Sequence, residues 1–211
     1  MALTAVLLSC GQNSTPASND TRVLAHEDTL PYEPNKSTVA QNELSSVTQI
    51  QQQYNAIVTA YKNAQLDSVS FKYNCDGEKS GTVSYFSEKG NLKLIKHSYA
   101  EYDHHEMVDQ YFIEGDVPFF AHLKSLSWSF DSGPEGATKD AITEQRIYLS
   151  DWKAIKCLQK KYEIRLHAGV NPKPEQVPNK EVDCASSQSI EKPYRLLAKY
   201  WKTSPPKCLT N

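Results

Sequence analysis

One local pattern occurs three times between Val83 and Leu158, and it constrains the fold more than any other feature. In each copy, Tyr followed by Phe or Leu leads through a short polar turn into a second apolar run. The copies begin at Tyr85, Tyr111 and Tyr148. Aromatic and β-branched residues favour strands, and Gly, Asn and Asp supply the backbone conformations that a hairpin turn requires. The pattern predicts strand–turn–strand units lying side by side in an antiparallel meander.

Two amphipathic segments flank the repeats, and each predicts a helix. In residues 39–64 the apolar side chains recur every three or four positions, which gives one helical stripe. Ser37 or Thr38 would cap its start. A second stripe runs through residues 190–201. We therefore expect an α+β domain over residues 39–211, in which an antiparallel meander sheet of β-hairpin repeats packs against an N-terminal and a C-terminal helix.

Strands are also predicted outside the repeats. Apolar residues alternate through residues 69–75, which is typical of a strand with one buried face. They alternate again at residues 126–130 and predict an additional strand there, followed by a loop at residues 131–136. At the C-terminal end of the repeats, residues 162–166 would extend the last strand.

The N-terminus has the form of an export signal. Residues 1–10 contain a short apolar run that ends in Leu7-Leu8-Ser9-Cys10. These four residues resemble the lipobox of bacterial lipoproteins, in which the Cys becomes the lipid-modified first residue. No Lys or Arg precedes the apolar run, which departs from that pattern. The resemblance implies lipidation at Cys10 and attachment to a membrane through the lipid.

A polar segment follows Cys10. Residues 11–38 are rich in Ser, Asn, Thr, Pro and acidic residues, and they contain too little apolar surface to offset the entropy of ordering. They predict a flexible tether between a lipid anchor and the folded domain. Gly11 and Gln12 are not acidic. In bacteria that retain lipoproteins at the inner membrane through an Asp after the Cys, the resemblance then implies the outer membrane. We expect a lipid-anchored protein of the cell envelope.

Net charge and cysteine content limit the kind of partner and the cellular compartment that suit this chain. A net charge of -2 without a basic cluster does not suit a nucleic-acid partner. Apart from Cys10, the chain has an even number of cysteines, which suits an oxidising compartment. They are Cys75, Cys157, Cys184 and Cys208. Three pairings are open. A Cys184–Cys208 bond would require the segments that flank the helix to fold back, because the helix holds its ends apart.

The sheet itself suggests a binding surface. Apolar residues occur on both faces of the predicted strands, so helices on one face would leave aromatic side chains exposed on the other. The alternative is that the terminal segments cover both sides. The candidate surface, for a protein, peptide or glycan ligand, comprises Tyr85, Tyr99, Tyr111, Phe120, Trp128 and Tyr148.

One cluster contains residue types that catalyse reactions. Asp103-His104-His105-Glu106 would suit a metal-dependent or hydrolytic enzyme if the side chains converged. The spacing matches no known metal motif, and adjacent residues of a strand point to opposite faces. A solvated turn is the favoured interpretation. We therefore predict no catalytic residue, no metal site and no cofactor, and we expect a binding module rather than an enzyme.

The order of these features resembles a group of uncharacterised lipoproteins of Bacteroidetes-type bacteria. Their pattern is lipobox, tether, helix, repeats of the form Tyr-Tyr-Phe-x-x-Gly-Lys-Leu, and a closing helix. Here Tyr85-Phe86 with Gly90 and Tyr111-Phe112 with Gly115 match the repeat, whereas the third copy has Asp151-Trp152 in place of the turn Gly. The hairpins are also distantly similar to MORN-type repeats. Neither resemblance implies a particular activity.

Overall fold

Seven strands follow one another from Asp67 to Arg165, with a helix before them and another after them in the chain. This computed structural model describes residues 44–209. The elements are α1 (Val47–Lys62), β1 (Asp67–Cys75), β2 (Lys79–Glu88), β3 (Asn91–Glu101), β4 (His105–Glu114), β5 (Val117–Phe130), β6 (Thr138–Ser150), β7 (Lys153–Arg165), a 3₁₀ turn (Pro174–Gln176), β8 (Lys180–Glu181) and α2 (Gln188–Ala198).

Each strand pairs antiparallel with the next, so the eight-stranded sheet has the order β1 to β8. The predicted α+β meander with one N-terminal and one C-terminal helix is confirmed. The prediction of a separate strand at residues 126–130 is wrong. Strand β5 runs without interruption from Val117 to Phe130, because residues 120–130 all pair with β6 and leave no place for a turn.

The three repeats share one turn geometry. Each turn has two residues, and both adopt positive φ, as a type I′ hairpin requires. The turns are Lys89-Gly90, Gly115-Asp116 and Asp151-Trp152. The preceding strand of each hairpin changes register just after Phe86, Phe112 or Tyr148. The strands therefore extend further into the polar stretch than the sequence predicts, and the third copy forms the turn without Gly.

A helix covers each face of the sheet. Leu94 and Ile95 are neighbours in β3 and point to opposite faces. Leu94 packs in a cluster with Ile50 and Ile57 of α1, whereas Ile95 packs in a separate cluster with residues 190–197 of α2. The expectation that both helices shield the same face is thus corrected. The apolar residues seen on both faces of the strands are explained by this double covering.

Helix α1 begins later than predicted. Ser46 caps it through its hydroxyl, which accepts a hydrogen bond from the Gln49 amide, while the Gln49 side chain accepts one from the Ser46 amide. This reciprocal pair is a capping box. The predicted caps, Ser37 and Thr38, lie outside the described residues, as do Cys10 and the tether. Between residues 44 and 209, no helix is long and apolar enough to cross a membrane.

Two disulfides fasten the α2 segment across the sheet. Cys157 of β7 bonds to Cys184 before α2, and Cys75 of β1 bonds to Cys208 after it. At the β1 edge, the amide of Asn74 donates to the carbonyl of Lys207 at 3.0 Å. Residues 184–208 therefore form a strap that crosses one face from the β7 side to the β1 edge.

Candidate functional site

Four of the six aromatic residues proposed as a binding surface lie in the core. Tyr85 and Tyr111 are each 1% exposed, Phe120 is 3% exposed and Tyr148 is 5% exposed. Helix α2 packs over the first pair and α1 over the second. This corrects the expected exposed face, because the terminal segments cover both sides of the sheet. The alternative considered above is the arrangement that the structure has.

The other two aromatic residues lie in separate places. The ring of Tyr99 stacks on His97, with a centroid distance of 4.3 Å and an angle of 21° between the planes. The Trp128 ring lies 4.2 Å from His104 and 5.8 Å from Phe130, which is 76% exposed. Tyr99 and Trp128 therefore belong to different local environments and do not form one surface.

The Asp103–Glu106 segment forms the β3–β4 turn and the start of β4. His105 Nδ1 lies 2.7 Å from the Ser127 hydroxyl, and the Trp128 indole N–H donates to the backbone carbonyl of Asp103. Across residues 44–209, no group of three His, Cys, Asp or Glu side chains is placed to hold a metal ion. The segment does not line either of the two cavities described below. It therefore adds no group of converging side chains that would support the enzymatic alternative.

The first cavity is a cleft of about 210 Å³ between α1 and the sheet. We call it the α1 cleft, and it is lined by Gln51, Tyr54, Asn55, Phe120, Arg146 and Tyr148. The Phe120 ring centroid lies 5.0 Å from that of Tyr54 and 5.0 Å from that of Tyr148, which gives a continuous aromatic wall.

Among the described residues that line the α1 cleft, Arg146 is the one that carries a charge. Its Nε atom is buried and has no hydrogen-bond partner within the described residues. Glu144, two positions away on the same strand, is already occupied by other donors. Its Oε1 accepts from the Tyr162 hydroxyl at 2.8 Å, and its Oε2 lies 3.2 Å from Lys160 Nζ and 3.3 Å from His122 Nε2.

The pKa shifts around Glu144 leave a positive charge beside the cleft. Burial raises the pKa of Glu144, but hydrogen bonds from Tyr162 and Lys160 outweigh it and hold the pKa below its ordinary value. Burial lowers the pKa of His122, and the charge of Arg146 lowers it further, which favours the neutral imidazole. Lys160 balances Glu144, and the Arg146 charge stays uncompensated within residues 44–209.

The second cavity has a volume of about 70 Å³ and lies on the opposite face, beneath α2. The sheet side of the cavity is lined by Lys79, His97, Tyr99 and Asp109, and the other side by Pro193, Leu196, Leu197 and Leu209. Together with Tyr73 we call the four residues of the sheet side the His97–Asp109 cluster. The Tyr73 hydroxyl lies 2.9 Å from His97 Nε2, and Asp109 Oδ1 is buried without a hydrogen-bond partner in the described part of the chain.

Burial sets the protonation of this cluster. It raises the pKa of Asp109 to about 6, although the charge of Lys79 opposes the shift. It lowers the pKa of His97 to about 4, and Lys79 acts in the same direction. Desolvation also raises the pKa of Tyr73 and of Tyr99 well above 10. At mildly acidic pH both Asp109 and His97 are neutral, which suits an enclosed cavity.

Gly81 makes this packing possible. It lies opposite Tyr73 of β1 and Tyr99 of β3 in the sheet register. A Cβ atom at position 81 would come within 2.7 Å of Tyr99 Cβ and 2.9 Å of the Tyr73 hydroxyl oxygen. Only a residue without a side chain leaves room for the Tyr73 hydroxyl to reach His97. The His97–Asp109 cluster is therefore part of the packed interior rather than an accessible site.

Comparison of the chain with protein families, curated proteins and solved structures finds no match. The resemblance to envelope lipoproteins and to MORN-type repeats thus stays a prediction that depends on the residues quoted for it. Of these two cavities, the α1 cleft is the better candidate for ligand binding, because its volume is about 210 Å³ against about 70 Å³. A shallower depression of about 530 Å³ lies at the β1 edge, beside Lys72, Tyr73 and Lys207. The sequence placed Phe120 and Tyr148 in a binding surface but did not single out Arg146.

Proposed function

We propose that this protein is a lipid-anchored binding module of the cell envelope, and that its ligand occupies the α1 cleft. The observation that carries the proposal is the combination of an aromatic wall in the α1 cleft with Arg146, whose buried Nε has no hydrogen-bond partner among residues 44–209. Binding sites are typically concave and apolar, with a few polar groups that orient the ligand. Gln51 and Asn55 of α1 add side-chain amides to the same cleft.

The disulfides support the proposed location. Cytosolic thiols are kept reduced, whereas secreted and envelope proteins form lasting disulfides. Cys75–Cys208 and Cys157–Cys184 join distant parts of the fold and use every cysteine of the described residues. The lipobox-like sequence at Cys10 and the polar residues 11–38 supply an anchor and a tether, and Gly11 and Gln12 favour the outer membrane.

The anchor is tested at Cys10. When the full chain is expressed in a bacterial host with labelled palmitate, we expect the label to enter the protein and the protein to fractionate with the envelope membranes. Cys10→Ala should abolish both, because the thiol is the acceptor of the lipid. Ser9→Ala leaves the thiol in place and is the matched control. Label that persists in Cys10→Ala would rule out lipidation at this position.

The cleft is tested by filling it. The full chain is screened against a library of small organic molecules by NMR. Binding is expected to change the chemical shifts of the backbone amides that lie around the cleft. Asn55→Trp places an indole ring in the cleft and should weaken such binding about tenfold or more, which corresponds to about 1.4 kcal/mol. Ala56→Trp adds the same ring at the next exposed position of α1, outside the cleft lining, and should not. Ligand binding that is unchanged by Asn55→Trp would contradict the assignment of the binding site to the α1 cleft.

A further inference from the structure

The chemistry of the α1 cleft also indicates which ligand it takes. The ion pairs of the described residues leave Arg146 without a carboxylate, although the chain has an acidic residue two positions away. The three partners of Glu144 come from β5 and β7, where His122, Lys160 and Tyr162 occupy both of its oxygens. Within the described residues, the guanidinium thus lines a cleft beside a carboxylate, that of Glu144, which is already paired.

A guanidinium is suited to one kind of partner in particular. Its N–H groups are arranged as a fork that matches the two oxygens of a carboxylate, and such pairs are usually bidentate. A buried donor that makes no hydrogen bond carries a desolvation cost, and a ligand that satisfies it recovers that cost. The Nε–H of Arg146 is such a donor. An anion in the cleft would satisfy it and neutralise the charge.

The remaining walls limit the rest of the ligand. The rings of Tyr54, Phe120 and Tyr148 offer an apolar surface, and the volume of about 210 Å³ admits a compact body rather than a long chain. One cation suits one negative charge, so a phosphate dianion would lack donors. We propose that the α1 cleft binds a small monocarboxylate with an apolar or aromatic body, whose acid group contacts Arg146. This proposal rests on the proposed function.

Matched acid–amide pairs test this inference on the full chain. The probes are benzoate against benzamide, 3-phenylpropionate against its amide, and a dipeptide ending in Phe with a free or an amidated C-terminus. Titration followed by NMR is expected to show each bound acid at least about tenfold tighter than its amide. The dipeptide distinguishes the C-terminal carboxylate of a peptide from a free small acid as the source of the same chemistry. Inorganic phosphate binding more tightly than the acids would overturn the inference.

Variants at Arg146 give the decisive comparison. Arg146→Gln should weaken acid binding about tenfold or more and leave amide binding unchanged, whereas Arg146→Lys should recover only part of the loss because an ammonium cannot bind bidentately. Arg195→Gln removes an exposed guanidinium from α2, on the opposite face, and is the matched control. Acids and amides that bind equally, or acid binding unaffected by Arg146→Gln, would overturn the carboxylate inference. Sensitivity to Asn55→Trp would in that case still support the cleft as the binding site.

Discussion

Replacing Cys75 and Cys208 together by serine is expected to lower the free energy of unfolding by about 5 kcal/mol. The two residues are 133 positions apart in the sequence. A cross-link that closes so long a loop removes much of the conformational entropy of the unfolded chain, and the loop-entropy relation gives about 5 kcal/mol for this length. Since domains of this size are stable by roughly 5–15 kcal/mol, the variant should approach the limit of folding at 37 °C. Urea unfolding monitored by circular dichroism measures the loss.

The second disulfide supplies the matched comparison. Cys157 and Cys184 are 27 positions apart, so the same relation gives about 3.5 kcal/mol when both are replaced by serine. The strap is released at a different end in each variant. Without Cys75–Cys208, the end that holds Leu209 over the core is freed, and hydrogen exchange should accelerate first in the last turn of α2. A smaller loss for the 133-residue separation than for the 27-residue one would contradict the entropic explanation.

The sequence predicted the hairpins well because their signals are local. Tyr85-Phe86 and Lys89-Gly90 specify strand and turn within a few residues, and the register of a hairpin follows from its turn. Which helix covers which face of the sheet is not specified by local signals. Adjacent apolar residues such as Leu94 and Ile95 indicate that both faces of a strand are buried, but not which segment buries each one. The double covering depends on packing between residues that lie far apart in the sequence, such as Ile50 with Leu94 and Ile95 with Tyr194.

Part of the candidate site was predictable because it also follows from a local sequence pattern. Strand alternation places Arg146 on the same face as Tyr148 and Glu144, which the sequence shows directly. That Glu144 does not pair with Arg146 follows only from where Lys160 and Tyr162 lie, on the neighbouring strand. The disulfide pairing is likewise set by the path of the strap, which sequence spacing does not reveal. The sequence therefore singled out only Phe120 and Tyr148 of the cleft lining, and the tertiary contacts supplied the other lining residues and the electrostatics of the site.

Single substitutions in the His97–Asp109 cluster are expected to give opposite dependences of stability on pH. Asp109 has a folded pKa of about 6 against 3.8 for an ordinary Asp, so its contribution is full below pH 3.8 and is lost as pH rises through 6. His97 has a folded pKa of about 4 against 6.5, so its contribution is full above pH 6.5 and is lost as pH falls through 4. Between about pH 4 and pH 6, the unfolded chain carries the proton on His97, whereas the folded protein carries it on Asp109.

The two contributions therefore nearly cancel in the natural protein, and removing one residue exposes the other. From pH 7 to pH 4, His97→Gln should gain stability relative to the natural protein, and Asp109→Asn should lose it, each by on the order of 2–3 kcal/mol. Urea midpoints across this range provide the measurement, and the double variant, which removes both groups, should follow the slope of the natural protein. Because all other titrating groups are common to the four proteins, the divergence of the single variants isolates this cluster. Parallel slopes for both would mean that burial beneath α2 does not control these protons.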